Sequence, residues 1–246
     1  MDMQGRCFFL SDLHLGHCGE NAQKTERDFI HFLKNLPADT TAIYLLGDIF
    51  DFWLEYRKVV VKGHTRTLAA LADCVEKGIE IYFIKGNHDW WTYGYLARET
   101  GVKVVERQPV EVEMGGKWFC LAHGDDLGPR KPGFRIITFL FKSKVCVTLL
   151  KMLPTSWIVS FAHKWSSSNR KKHLGKDYCY TPDSPLLHFA RNYRSPEGHN
   201  IDYFIFGHFH TPTDLALPGG ARMMVIGDWD KGPRYIDFDG ELTKHS

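Results

Sequence analysis

The sequence predicts an α/β protein in which two sheets pack face to face with helices outside, and three observations carry that reading. Short apolar runs of strand length alternate with longer amphipathic stretches over the first hundred residues. After Gly101 the runs come closer together and are separated by turns instead of helices. The apolar share of 43% and charged share of 24% are those of a chain able to bury a core.

The elements follow in order. Cys7–Leu10, Ala42–Leu46 and Glu80–Ile84 are short, apolar and end at Ser, Gly or Lys-Gly, as buried strands do. Between them, Thr25–Leu36 carries Phe29, Phe32, Leu33 and Leu36 at helical spacing, and His64–Lys77 carries Leu68, Leu71, Ala72 and Val75. Gly78 suits the stop of the second helix. Val102–Val105, Val110–Met114 and Lys117–Ala122 read as strands, the last two joined by a Gly115-Gly116 hairpin turn. Asp202–Phe206, Asp214–Leu217, Arg222–Ile226 and Arg234–Phe238 complete the set.

The stretch 127–176 differs from the rest. It holds eleven basic residues, from Arg130 to Lys176, and no Asp or Glu, and it is rich in Phe, Ile, Leu, Val and Trp. Lys142, Lys144, Lys151 and Pro154 interrupt it well short of a membrane-spanning length. It reads as a basic, apolar helical cap inserted into a core formed by residues 1–126 and 177–246. The six cysteines include no C-x-x-C pair, so reduced thiols in a cytosolic protein are expected. The only apolar stretch before Asp12 is Cys7–Leu10, too short for a signal peptide.

Five motifs of Asp, Asn and His each follow a predicted strand: Asp12-Leu13-His14, Gly47-Asp48-Ile49-Phe50-Asp51, Gly86-Asn87-His88-Asp89, His123-Gly124-Asp125 and Gly207-His208-Phe209-His210. Ligands gather where the strands of an open α/β sheet end. Any one motif alone is more often a cap or a turn. Five in this position describe one converging site. Residues two apart in extended backbone project to the same side, so Asp12 with His14, and His208 with His210, can each point at one centre. Carboxylate, imidazole and amide oxygen without thiolate suit Mn²⁺, Fe²⁺, Zn²⁺ or Mg²⁺.

The series D-x-H, G-D-x-x-D, G-N-H-D, H-G-D and G-H-x-H, from Asp12 to His210, resembles that of the calcineurin-like metallophosphoesterases. The resemblance implies a four-layer αββα sandwich and two divalent ions, with Mn²⁺ foremost. One would be held by Asp12, His14, Asp48 and His210, the other by Asp48, Asn87, His123 and His208. It makes His88 the residue that contacts phosphate or protonates the leaving group, with Asp89 as its orienter, and makes Asp51 and Asp125 partners of ligating groups. Paired divalent ions clamp a phosphate and acidify water.

Within that superfamily, Gly47–Trp53 is similar to the G-D-x-F-[DE]-x-W stretch of bacterial UDP-2,3-diacylglucosamine hydrolases, and Val225-Ile226-Gly227-Asp228-Trp229 to their L-G-D-W stretch. The position of the basic insertion also matches their lipid-gripping cap. The chain departs from that family at His88, where the usual motif is G-N-R-D. The implied reaction is hydrolysis of a UDP-linked diacylated glucosamine at its pyrophosphate, in lipid A biosynthesis, with Asn87, His88, His208, Ser168, Arg170 and Lys172 contacting substrate. The implied place is the cytoplasm, peripheral on the inner face of the inner membrane, with 127–176 against the anionic surface. No nucleic-acid partner is expected, since Phe134–Leu153 is too apolar for an open groove. Two alternatives stand beside this reading: a general phosphodiesterase or phosphatase on another nucleotide or pyrophosphate, and a non-catalytic membrane-surface protein with structural metals. Oligomeric state is not legible in the sequence.

Overall fold

The structure is a computed structural model that describes residues 5–164 and 178–246, apart from 18, 20, 57, 131–132, 134–137, 141 and 163. Its first sheet has the order β11-β10-β1-β2-β3-β4, with β1 Arg6–Leu10, β2 Thr40–Leu46, β3 Glu80–Ile84, β4 Lys103–Val105, β10 Tyr235–Phe238 and β11 Leu242–His245. The second has the order β5-β6-β7-β9-β8, with β5 Val110–Met114, β6 Lys117–Ala122, β7 Tyr203–Phe206, β8 Thr213–Ala216 and β9 Arg222–Val225. β1 to β4 pair in parallel, as do β6, β7 and β9; the remaining pairings are antiparallel.

The sheets are apolar on both faces because both faces are covered. Side chains alternate along β2: Ala42, Tyr44 and Leu46 face the second sheet, where they meet Met114, Phe119, Leu121 and Ile205, while Ile43 and Leu45 face the helices. Helix α1 (Ala22–Lys34) buries Thr25, Phe29 and Leu33, and α2 (Thr65–Glu76) buries Thr67, Ala70, Leu71 and Cys74. Each set lies on one face of its helix. On the far side, Leu186, Leu187 and Ala190 of Pro185–Asn192 pack against Phe204, Phe206, Met223 and Val225. The layers are therefore helix, sheet, sheet, helix, as expected.

α1 stops two residues short of the expected end. Leu36 precedes Pro37, which disfavours helical backbone at Leu36, and the Asn35 N–H instead closes the turn on the His31 and Phe32 carbonyls. Three elements outside the sequence reading are present: α3 (Tyr95–Thr100), between Gly94 and Gly101, the helix Pro185–Asn192, and β11.

Within 127–176, the described residues form α4 (Lys144–Lys151) and α5 (Thr155–Ala162), bent by 114° across the break. α4 begins at Ser143, whose side chain accepts from the Cys146 N–H. Val147 and Ile158 pack on Phe52, Leu54 and Trp91, in the loops after β2 and β3. Lys142 lies 3.8 Å from the Trp90 ring centroid, and Lys151 lies 4.0 Å from that of Tyr93. Lys142 also pairs with Asp126. Among the described residues no single helix is long and apolar enough to cross a membrane.

Candidate metal centre

The motif residues stand at one rim of the sandwich because the strands that deliver them run parallel. β1, β2 and β3 end at Leu10, Leu46 and Ile84, and β6 and β7 end at Ala122 and Phe206. Each of the five motifs begins within two residues of one of those ends.

The chain bends sharply as it leaves β1, β2 and β7. Among the described residues, the non-glycine positions with positive φ are Asp12 (55°), His14 (47°), Asp48 (54°), His208 (68°) and His210 (56°). Left-handed backbone costs an L-residue roughly 1–2 kcal/mol, so strain is concentrated on the donor residues. This corrects the argument from strand pleat: neither His nor Asp of the two pairs sits in extended chain. The consequence differs too. His210 joins Asp12 and His14, whereas His208 turns away to join Asp48 and His123. Glycine is required beside them for space. A Cβ on Gly86 would lie 2.2 Å from the Asp48 Oδ1, and one on Gly207 would lie 2.0 Å from the Ser11 Oγ.

Two sets of side chains can each hold a divalent ion: Asp12, His14 and His210, and Asp48, His123 and His208, with the donor atoms of each set within 4.8 Å of one another. His14, Asp51 and His88 form a third, overlapping set. Second partners fix the ring orientations. The His123 Nδ1–H donates to the Leu46 carbonyl at 2.9 Å, leaving Nε2 toward the Asp48 Oδ2 at 3.4 Å and the Asn87 Oδ1 at 3.2 Å. The His210 Nδ1–H donates to Asp228 at 3.1 Å, so its Nε2 presents a lone pair. That lone pair faces the His14 Nε2 at 3.3 Å and the Asp12 Oδ1 at 3.6 Å. With both rings neutral and His14 carrying its proton on Nδ1, these acceptors converge on one point and fit a cation.

The electrostatics agree. Burial pushes His14 down to about 3, so its ring is neutral and free to bind. Burial lifts the Asp12 carboxyl, opposed by His210 and His123. Burial works against charge on Asp48 as well, but His123 and His88 hold it well below the ordinary carboxylate range. The Asp48 Oδ1 accepts from the His88 backbone N–H at 2.9 Å, and the Asp12 Oδ2 accepts from that of His208 at 2.9 Å.

Asp89 is not the orienter of His88. Its carboxylate is fully buried and accepts from the backbone N–H groups of Gly86 at 2.7 Å, Ile49 at 2.8 Å and Phe50 at 3.4 Å. Burial and the nearby Asp48 push it up to about 7, against the pull of the Gly86 N–H. It ties the loop after β2 to the loop after β3. The His88 Nδ1–H donates instead to the Asp51 backbone carbonyl at 2.7 Å, and Nε2 lies 3.9 Å from the Asp48 Oδ2. The Asp51 carboxylate lies 3.6 Å from the His14 Nδ1. Asp125 is buried two residues from His123; burial lifts its carboxyl and His123 pulls it back. Ser168, Arg170 and Lys172 lie outside the described residues. Sequence reasoning missed Asp228 as the partner of His210, although the Gly227-Asp228-Trp229 stretch had drawn notice as a motif, and it missed Ser11, whose hydroxyl donates to Asp12.

The model of the calcineurin-like phosphoesterase family matches residues 5–212, which span all five motifs of Asp, Asn and His from Asp12 to His210. The chain belongs to the calcineurin-like phosphoesterase family. Calcineurin-like phosphoesterases work with a dinuclear divalent metal centre, and the donor sets here suit one. Among curated relatives, the UDP-2,3-diacylglucosamine hydrolase of Porphyromonas gingivalis is 35% identical over 97% of this chain and 95% of its own length. That of Azotobacter vinelandii is 29% identical over 94% of this chain and 93% of its own. Among solved structures, a dimetal phosphatase from Danio rerio aligns at 12% identity with a TM-score of 0.46, covering 99% of this chain and 96% of that one.

Proposed function

We propose that this calcineurin-like phosphoesterase hydrolyses UDP-2,3-diacylglucosamine at its pyrophosphate, giving UMP and 2,3-diacylglucosamine 1-phosphate. The observation that carries the reading is the 35% identity to a hydrolase of that name, sustained over 97% of the chain. In this reading Asp12, His14, Asp48 and His210 hold one ion, and Asp48, Asn87, His123 and His208 the other, with Mn²⁺ taken as the metal from among the Mn²⁺, Fe²⁺, Zn²⁺ and Mg²⁺ that such mixed donors accept. Such a pair of ions supplies positive charge against the phosphate oxygens and acidifies water.

The chain's own groups do the rest. Asp228 and the Leu46 carbonyl fix the tautomers of His210 and His123. The His88 Nδ1–H is committed to the Asp51 carbonyl, so Nε2 is the nitrogen that meets the substrate's phosphate or hands a proton to the departing oxygen. Asn87, exposed beside His88, offers its amide to the same phosphate. Residues 127–176 shelter the acyl chains. Exposed Leu149 on α4, Met152 just after it, and Trp157 and Phe161 on α5 rest on an anionic membrane surface.

The test is conversion of the lipid substrate in the presence of Mn²⁺, followed by ³¹P NMR. UMP and the lipid monophosphate should appear, and Asp48→Ala, which removes the residue shared between the ions, should lose most of that activity. Wild-type turnover in Asp48→Ala would refute the ligand assignment. His88, standing where the hydrolase motif carries Arg, favours a wider ester range as a second reading. A chromogenic phosphodiester cleaved as well as the lipid would support that one.

A further inference from the structure

Glu55 belongs to none of the five motifs, yet its carboxylate is one of the most heavily bonded groups near the site. It is 3% exposed. Its Oε2 accepts from the backbone N–H groups of Tyr93 at 2.5 Å and Tyr95 at 2.9 Å, and its Oε1 from that of Leu96 at 2.9 Å and from the Trp53 indole N–H at 3.1 Å. All four partners are donors, which only an ionised carboxylate can satisfy together.

Three of those bonds pin residue 55 to residues 93–96, at one end of a zipped pair of segments. Along the pair, the Glu55 N–H donates to the Trp91 carbonyl and the Trp53 N–H to the His88 carbonyl, each at 3.1 Å. Leu54 and Trp91 form a parallel bridge. The His88 ring is then aimed by the Asp51 carbonyl, four residues before Glu55. Where that carbonyl stands depends on the register of residues 51–55 against 88–96. Glu55 clamps that register at the start of α3, through Tyr93, Tyr95 and Leu96, while the Trp53 indole N–H holds the carboxylate in its own segment.

We propose that Glu55 is a positioning residue for His88: by holding segments 51–55 and 88–96 in register, it keeps the Asp51 carbonyl in place to fix the tautomer and aim of the His88 ring. The proposal rests on the assignment of His88 to the substrate's phosphate made above. Glu55→Gln is the informative change. Glutamine keeps the shape but offers one acceptor oxygen and turns an NH₂ toward two N–H donors, so part of the clamp at Tyr93, Tyr95 and Leu96 opens.

The experiment is a double-mutant cycle of Glu55→Gln with His88→Gln, read in two ways. The first reading is kinetic, with Mn²⁺ and a soluble chromogenic phosphodiester. Glu55→Gln is expected to lower kcat about ten- to a hundredfold, with KM and bound metal per chain within about twofold of wild type, and to add less than about twofold in the His88→Gln background. The second is the His88 Nδ1–H proton resonance, assigned by its loss in His88→Gln, which should disappear in Glu55→Gln and does not depend on turnover. If circular dichroism shows Glu55→Gln unfolded, Glu55→Asp takes its place, since it keeps the charge but draws the carboxylate back from the Tyr93, Tyr95 and Leu96 N–H groups. Unaltered kcat, losses that multiply independently, or a retained His88 proton would each overturn the proposal. Failure of the lipid substrate alone would count against the proposed reaction and leave the cycle standing.

Discussion

Asp12, His14, Asp48, His208 and His210 occupy backbone that glycine would adopt more readily, and that has a measurable consequence residue by residue. In metal-free protein, His208→Gly should be more stable to urea than His208→Ala by about 1 kcal/mol, the reverse of the order found in helices and strands. An Ala variant at least as stable as the Gly variant would mean that the left-handed conformation at φ 68° is not costly. At this scale the sequence was informative about identity and silent about orientation. All seven candidate donors lie in motifs that stand out by residue type, because chemistry restricts the choice to Asp, Asn and His. Asp89, Glu55 and Asp228 were harder to read. Their roles come from bonds to groups about 20 to 40 positions away in the chain, such as Asp89 to Ile49, Glu55 to Tyr95 and His210 to Asp228, and no local spacing encodes these.

Strands were the most legible elements. Val110–Met114, Lys117–Ala122 and Glu80–Ile84 have the expected bounds, because an apolar run between turn residues has few other uses. α3 was not read because six residues give less than two helical turns, and its start is held by a side chain from another loop. The pair α4 and α5 shows a different limit. Val147 and Ile158 face the body of the protein, but Val145, Leu149, Met152, Trp157 and Phe161 are between 60% and 78% exposed. Apolar residues on both faces carry no clean period, so the sequence pointed to a helical segment without showing which side faces inward. On the proposed membrane contact, Leu149→Asp with Trp157→Glu should weaken co-sedimentation with phosphatidylglycerol vesicles at least tenfold and leave cleavage of a soluble ester within about twofold. Unchanged sedimentation would show that this face does not meet the lipid.

On the scale of the whole molecule, the two sheets are tied at one open side by a single carboxylate. Asp214 of β8 accepts from Arg222 of β9 at 2.5 and 3.1 Å and from Lys244 of β11, in the other sheet, at 2.6 Å. Burial would raise the Asp214 carboxyl, but the bonds from Lys244 and Arg222 hold it below the ordinary value. A group depressed in the folded state stabilises above its unfolded pKa and ceases to do so as pH falls through the folded one. Asp214→Asn should therefore lower Tm by a few degrees near pH 7, for a loss of about 1 kcal/mol. The gap from wild type should hold down to about pH 5 and then close in more acid solution, since Asp begins to protonate near pH 4. A gap independent of pH would assign the effect to packing.

The register of the first sheet also bears on how a newly made chain matures. β1 lies between β2 and β10, and Cys7 pairs opposite Phe238. One edge of that central strand therefore stays open throughout translation until residues 235–238 have been made. His208, His210 and Asp228 also arrive in this late portion. A nascent chain stalled before β10 would present a bare apolar strand edge for chaperones to cover.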